Sequence, residues 1–442
     1  EYSCVVFKGI PYAMAPTGTR RFKRPEKMAK WDGIFDATKW GKKCPQRAQE
    51  KGSFYQKEFY DSDEFSAESG DDCLNLNIWL PKNIEEKINE GVKLPVAIYV
   101  HGGAFMGGAG SNLPFVATNM VKEGVIIVTI NYRLGVFGFL SHPILKEISG
   151  DTNCGNIGLW DQLAAIEWVY ENIDSFGGDK DNITLFGQSA GAMSLQILAL
   201  SDKLDGICKK MILESGGGYK NPLSSFKTQD EAEVYGNWLM EEICRDQNID
   251  INDHEGIKNF LINGDSADVL RLSLEVVGRS FREGKGFAFL PVIDGEILKK
   301  DGNELIGEKE FLKIPYLLGA NKDDITMEKA TDFSATANPM EIANIEYAKL
   351  ANESGADSYV YYFTRDLPGD NSRAFHSAEL WYVFGSLEYS WRWESFSDHD
   401  RELSYEIIRY WTNFMKYGDP NYEGLPKWRK CTGDDLFLKI FE

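Results

Sequence analysis

One pattern limits this chain more than any other: short, continuously apolar runs separated by stretches of helical spacing. The runs are "LPVAIYVHGG" (94–103), "GVIIVTINYR" (124–133), "ITLFG" (183–187), "KKMILESGG" (209–217), "IPYLLGAN" (314–321) and "DSYVYYF" (357–363). A strand with one wet face alternates apolar and polar residues, whereas a strand that is apolar throughout is covered on both faces. Between the runs, "LWDQLAAIEWVYENI" (159–173) repeats Leu163, Ile166, Val169 and Ile173 at helical spacing. Strands of this kind joined by helices predict an α/β fold with a mostly parallel central sheet and helices on both faces. "LSYEIIRYWTNFMKYGDPN" (403–421) predicts a late helix stopped by Gly418 and Pro420. The polar stretch 220–310 carries helical patterns and few strong strands. It is expected to be a helical insertion over the sheet, within a single domain spanning 1–442.

Composition removes several function classes. The formal net charge is -20, which opposes binding to nucleic acid or to an anionic membrane surface. No apolar run approaches the length of a membrane span. The start, "EYSCVVFKGIPYA", lacks a basic segment followed by an apolar one, so it does not read as a signal peptide. The five histidines show no H-E-x-x-H and no i, i+4 pair, so no catalytic zinc site is expected. The phosphate-binding G-x-x-x-x-G-K-[ST] loop is also missing, and no cofactor is implied. Seven scattered cysteines without a C-x-x-C pair lean toward a cytoplasmic protein.

Chemistry concentrates at "GQSAG" (187–191), which ends the apolar run "ITLFG" and opens the helix-permissive "AGAMSLQIL". In a G-x-S-x-G turn the serine sits between strand and helix, with its oxygen exposed where backbone N–H groups point outward. Serine attacks a carbonyl only when a base takes its proton and donors hold the oxyanion. Upstream, "HGGAF" (101–105) ends another apolar run and offers such donors. The N–H groups of Gly103 and Ala104, with that of Ala190, can converge on one oxygen. The order serine, acid, histidine points next to Asp324 in "LLGANKDDI" and His376 in "RAFHSAELWYVFG". His399, in the charged "SFSDHDRE", reads as a surface residue. Each element alone has a bland reading: a turn serine, a glycine turn, a solvated aspartate pair, a core histidine. Their joint order carries the inference.

The same segments resemble a known family. "FKGIPYA" (7–13), "RRFKRPE" (20–26), "CPQ" (44–46), "DDCLNLNIW" (71–79), "HGGAFMGG" (101–108), "NYRLGVFGFL" (131–140), the block 155–192, "AFHSAEL" (374–380) and "GDPN" (418–421) resemble the type-B carboxylesterases. This α/β-hydrolase family includes cholinesterases and bacterial nitrobenzyl esterases. The resemblance implies a serine carboxylesterase with Ser189 as nucleophile, His376 as general base, and Gly103, Ala104 and Ala190 as oxyanion hole. The family acid is usually Glu in an N-x-D-E-G stretch. Here "NKDDI" offers Asp324, one methylene shorter and followed by Ile325, with Asp323 as the alternative acid. The resemblance also implies ion pairs Arg21–Asp71 and Arg133–Asp161 and a Cys44–Cys73 disulfide, with Cys244 left unpaired. The family's N-terminal hairpin precedes "GIPYA", which starts at Gly9 here, so a further N-terminal piece is expected. The short acid-to-base segment implies an open pocket without a choline cage. The substrate is expected to be a small-molecule ester, short acyl or aryl; the aromatic run 381–393 can line its pocket, but core packing is the expected role for most of its rings. The other readings are a non-catalytic binding module on the same fold, or thioesterase, amidase or lipase activity at the same site. No long apolar lid favours the lipase. Oligomeric state is not legible.

Overall fold

The computed structural model describes residues 4–151, 155–221, 223–325 and 338–442. Its strands are β1 (Cys4–Pro11), β2 (Asn75–Pro81), β3 (Leu94–Val100), β4 (Ile126–Ile130), β5 (Gly178–Gln188), β6 (Cys208–Glu214), β7 (Lys227–Thr228), β8 (Val292–Ile293), β9 (Tyr316–Asn321), β10 (Ser358–Phe363) and β11 (Leu438–Phe441). All but β7 and β8 form one sheet, in the order β1-β2-β4-β3-β5-β6-β9-β10-β11. From β4 to β11 every pairing is parallel, and β1 and β2 add antiparallel at one edge. The fold is that of an α/β-hydrolase.

The apolar runs are strands because the sheet is covered on both sides. In β3, Val96, Ile98 and Val100 join one buried cluster, while Ala97 and Tyr99 join another. Side chains alternate across a strand, so these two clusters lie on opposite faces. Helix Ile157–Asn172 and helix Ala190–Ala199 pack in the first cluster, and helix Asp398–Tyr417 in the second. The last of these opens on a reciprocal cap, Ser397 with Asp400, and ends at Gly418, whose φ of 72° is the left-handed conformation that closes helices.

Helices Gln229–Gln247, His254–Asn263, Ser266–Arg282 and Gly302–Gly307 occupy the stretch between β6 and β9. Arg21 ties them to the N-terminal part. Its guanidinium pairs with Asp71 at 2.7 Å and donates to the carbonyls of Leu261 and Gly264 at the end of helix His254–Asn263. Arg133 pairs with Asp161 at 2.6 Å, both fully buried. Cys44 and Cys73 form a disulfide, and Cys244 is a free thiol. Among the described residues, no helix is long and apolar enough to cross a membrane.

Candidate active site

In a parallel sheet all strands point one way, so the loops leaving their C-terminal ends converge. Four such loops build this site, and the end of β6 backs them. The first follows β5. Ser189 there has φ 54° and ψ -125°, a strained conformation for a residue with a Cβ. The turn closes because its neighbours are glycines. A Cβ on Gly191 would lie 1.9 Å from the Val100 carbonyl oxygen, and one on Gly187 would lie 2.8 Å from it. The Ser189 N–H donates to the Glu214 carbonyl at 2.8 Å, which fixes the turn to the end of β6.

The second loop follows β3. Gly103 has φ 110° and Ala104 has φ 55°, left-handed conformations outside any helix or strand, and both residues line the cavity over Ser189. The N–H groups of Gly103, Ala104 and Ala190 have no acceptor among the described residues. His101 anchors this loop. Its ring stacks on Tyr132 at 4.6 Å and its Nδ1 lies 2.8 Å from the Gly102 carbonyl. Burial pushes its pKa down to about 4, so His101 is neutral at pH 7.

The third and fourth loops, after β9 and β10, bring Asp324 and His376 together. The His376 Nε2 lies 2.8 Å from Ser189 Oγ. Its Nδ1 hydrogen-bonds the Asp324 carboxylate. Asp324 also accepts from the N–H groups of Asn321 at 3.0 Å and Ile325 at 2.9 Å. With Nδ1–H donating to the carboxylate, Nε2 is the lone pair that faces the serine. The adjacent Asp323 turns elsewhere: it pairs with Arg373 at 3.0 Å and accepts from the Ala374 N–H. Asp323 thus stitches the acid loop to the histidine loop. His399 is exposed and contacts the Glu442 carbonyl. Burial works to lower the pKa of His376, but the Asp324 charge and hydrogen bond, with the charge of Glu379, outweigh it and leave the imidazole raised.

Behind this group lies a feature that sequence reasoning missed. Glu214 ends β6 fully buried and accepts from the Trp411 indole at 2.7 Å. Glu379, one turn after His376, is also buried and bonds the Asn321 amide. Burial pushes both carboxyls up to about 8, and in Glu379 the charges of Glu214 and Asp324 add to it. Glu379 stands within the quoted "AFHSAEL"; Glu214 has no signal beyond an acid at the end of an apolar run.

A cavity of about 260 Å³ opens over Ser189 and His376. Its wall includes Tyr55, Phe59, Tyr60, Tyr99, Phe115 and Leu380, and no Asp, Glu, Lys or Arg among the described residues. The aromatic wall therefore comes largely from 55–60, inside the Cys44–Cys73 loop, and not from 381–393. Trp381, Tyr382 and Phe384 of that run are fully buried in the core. The acid-to-base segment, expected to leave the pocket open, falls partly on 326–337, outside the described residues.

The model of the carboxylesterase family matches residues 1–344 and 334–441. The chain belongs to that family. Membership makes it a carboxylic ester hydrolase by class. It is 31% identical to the para-nitrobenzyl esterase of Bacillus subtilis (strain 168), covering 98% of this chain and 90% of that protein. It is 30% identical to carboxylesterase 5A of Canis lupus familiaris, covering 98% of this chain and 81% of that protein. Among solved structures, a PNB esterase superposes with a TM-score of 0.82 at 28% identity, over 100% of this chain and 93% of that one.

Proposed function

We propose that this carboxylesterase works through Ser189, His376 and Asp324 on neutral esters with short acyl or aryl groups. Ser189 Oγ attacks the ester carbonyl as its proton passes to His376 Nε2. Asp324 holds the ring with Nε2 toward the serine and stabilises the imidazolium that forms. The N–H groups of Gly103, Ala104 and Ala190 receive the oxyanion, each such donor contributing about 10²–10³ in rate. The imidazolium then gives its proton to the leaving alcohol, and water repeats the sequence to release the acid. The observation that carries this reading is the unbroken chain from Ser189 Oγ through His376 to the Asp324 carboxylate. The neutral, ring-lined cavity supports an uncharged ester of modest size. We also read 1–442 as one working unit, with the helices between β6 and β9 as an insertion.

The test is hydrolysis of p-nitrophenyl acetate by the purified protein and by Ser189→Ala. Turnover in the first and background in the second is the expected result. Equal turnover in both would remove Ser189 from the mechanism. No turnover by a folded wild type would favour a binding module.

A further inference from the structure

The loop closed by Cys44 and Cys73 has little regular structure, yet it supplies Tyr55, Phe59 and Tyr60 to the cavity. Its ends are held by the disulfide and by Gln46, which exchanges hydrogen bonds with the backbone of Gly108. Its middle is a single π-helical turn, Gln56–Tyr60, a form that concentrates at functional sites. Phe54 and Tyr55 at the start of that turn are more than a third exposed, whereas Glu58 and Phe59 within it are buried.

One buried charge pair holds the middle. Glu58 is 1% exposed and Arg392 is 0% exposed. The Arg392 guanidinium meets Glu58 through Nε at 3.0 Å and Nη2 at 2.5 Å, and the Trp391 indole donates to the same carboxylate at 2.9 Å. The other side of the guanidinium donates to the Pro368 carbonyl, the Asp370 carboxylate and the Ser372 hydroxyl. Those residues lie on the loop from β10 to His376. One side chain therefore fixes the pocket wall and the base-bearing loop to each other. The rings repeat the link: Phe59 packs against Phe375 at 6.3 Å and Trp381 at 5.9 Å. Well-packed apolar residues can match a buried ion pair in stability. What the forked guanidinium adds is direction, since its rigid planar donors fix where each carboxylate sits.

We propose that Arg392, acting through Glu58, is a positioning residue that sets the aromatic wall and so gives the site its preference for aryl over flexible alkyl esters. The kinetic part rests on the esterase reading above, and the proteolysis part does not. The first arm compares phenyl acetate with butyl acetate in wild type, Glu58→Gln and Arg392→Lys. Glu58→Gln is expected to lower kcat/KM for phenyl acetate about tenfold, chiefly through KM, and to move butyl acetate by less than about twofold. Arg392→Lys keeps the charge but loses the fork, and shifts the same ratio. The acid limb of the pH profile stays in place, since His376 and Asp324 are untouched. The second arm is trypsin treatment followed by reduction of the disulfide. Cleavage after Lys51, within the loop and away from the substituted bond, is expected to be severalfold faster in Glu58→Gln. A phenyl-to-butyl ratio within twofold of wild type overturns the proposal, as does an equal fall in kcat for both esters. Unchanged cleavage in the loop also overturns it. If Glu58→Gln does not fold, Asp370→Asn loosens the exposed end of the same guanidinium; the ratio must then move the same way by about twofold or more. If wild type hydrolyses neither ester, the esterase reading falls, and the trypsin arm alone decides on the clamp.

Discussion

Ser189 stands at a backbone angle that only its glycine neighbours make possible, and its oxygen meets one histidine nitrogen. At this scale the sharpest question is which aspartate serves that histidine. Asp324→Asn should lower kcat by about 10³–10⁴, because the imidazole loses both its tautomer and its charge partner. Asp323→Asn should cost activity little, since its carboxylate serves Arg373 and a backbone N–H. Steady-state kinetics on the two variants decides, and the reverse pattern would move the role to Asp323. The pH profile adds a signed check. His376 must be neutral to accept a proton, and its pKa is raised above 6.5, so the acid limb of kcat/KM should have its midpoint above 6.5. In Asp324→Asn the residual activity should show a limb shifted to lower pH, because burial then acts without its main counterweight. Ser189 and His376 are legible in the sequence because glycine spacing and chain order are one-dimensional signals. Asp323 and Asp324 are adjacent in the chain; the resemblance favours Asp324, and in the fold it is the Asp324 carboxylate that meets the ring.

At the scale of elements, strands and helices were easiest to read where they are buried on both sides. The predicted runs around β3, β4, β5, β6, β9 and β10 are all strands. β1, β2 and β11 are not legible from periodicity. β1 and β11 are edge strands with partly exposed patterns, and β2 is a fully buried strand containing two asparagines. Those asparagines are satisfied inside: Asn75 donates to the Lys42 carbonyl and Asn77 to the Thr129 hydroxyl. A polar residue in a core strand hides the strand from a pattern search. Trp381, Tyr382 and Phe384 pack in the core, the role expected for most rings of that run, whereas the rings of 55–60 that wall the cavity carry no such signal, since rings in a loop and rings in a helix look alike in composition. The disulfide is the element-scale lever on that loop. It joins residues 29 apart, and closing a loop of that length stabilises by about 3–4 kcal/mol on chain entropy. The Cys44→Ser, Cys73→Ser double variant should show that loss in urea denaturation, and an unchanged midpoint would mean the loop is constrained without the bond.

The whole molecule gathers the C-terminal ends of β3, β5, β6, β9 and β10 at one end of the sheet, and it buries Glu214 and Glu379 there. Strand order is set by which faces pack, and no linear signal encodes it. Both carboxyls are raised from 4.5 to about 8. Between those values the folded protein keeps protons that the unfolded chain has released, so stability should fall as pH rises from about 4.5 to about 8. Glu214→Gln keeps an acceptor for Trp411 and removes one of these protons from the balance. Its melting temperature relative to wild type should therefore rise between pH 5 and pH 8, and a constant difference would mean that Glu214 is ionised in the folded state. The central claim, however, is that this architecture activates a single serine. The most direct measurement is the intact mass and peptide map of the protein after brief treatment with a fluorophosphonate. The account predicts one adduct per chain, on Ser189, formed far more slowly in Asp324→Asn. An adduct on another residue, or none on a folded wild-type protein, would contradict it.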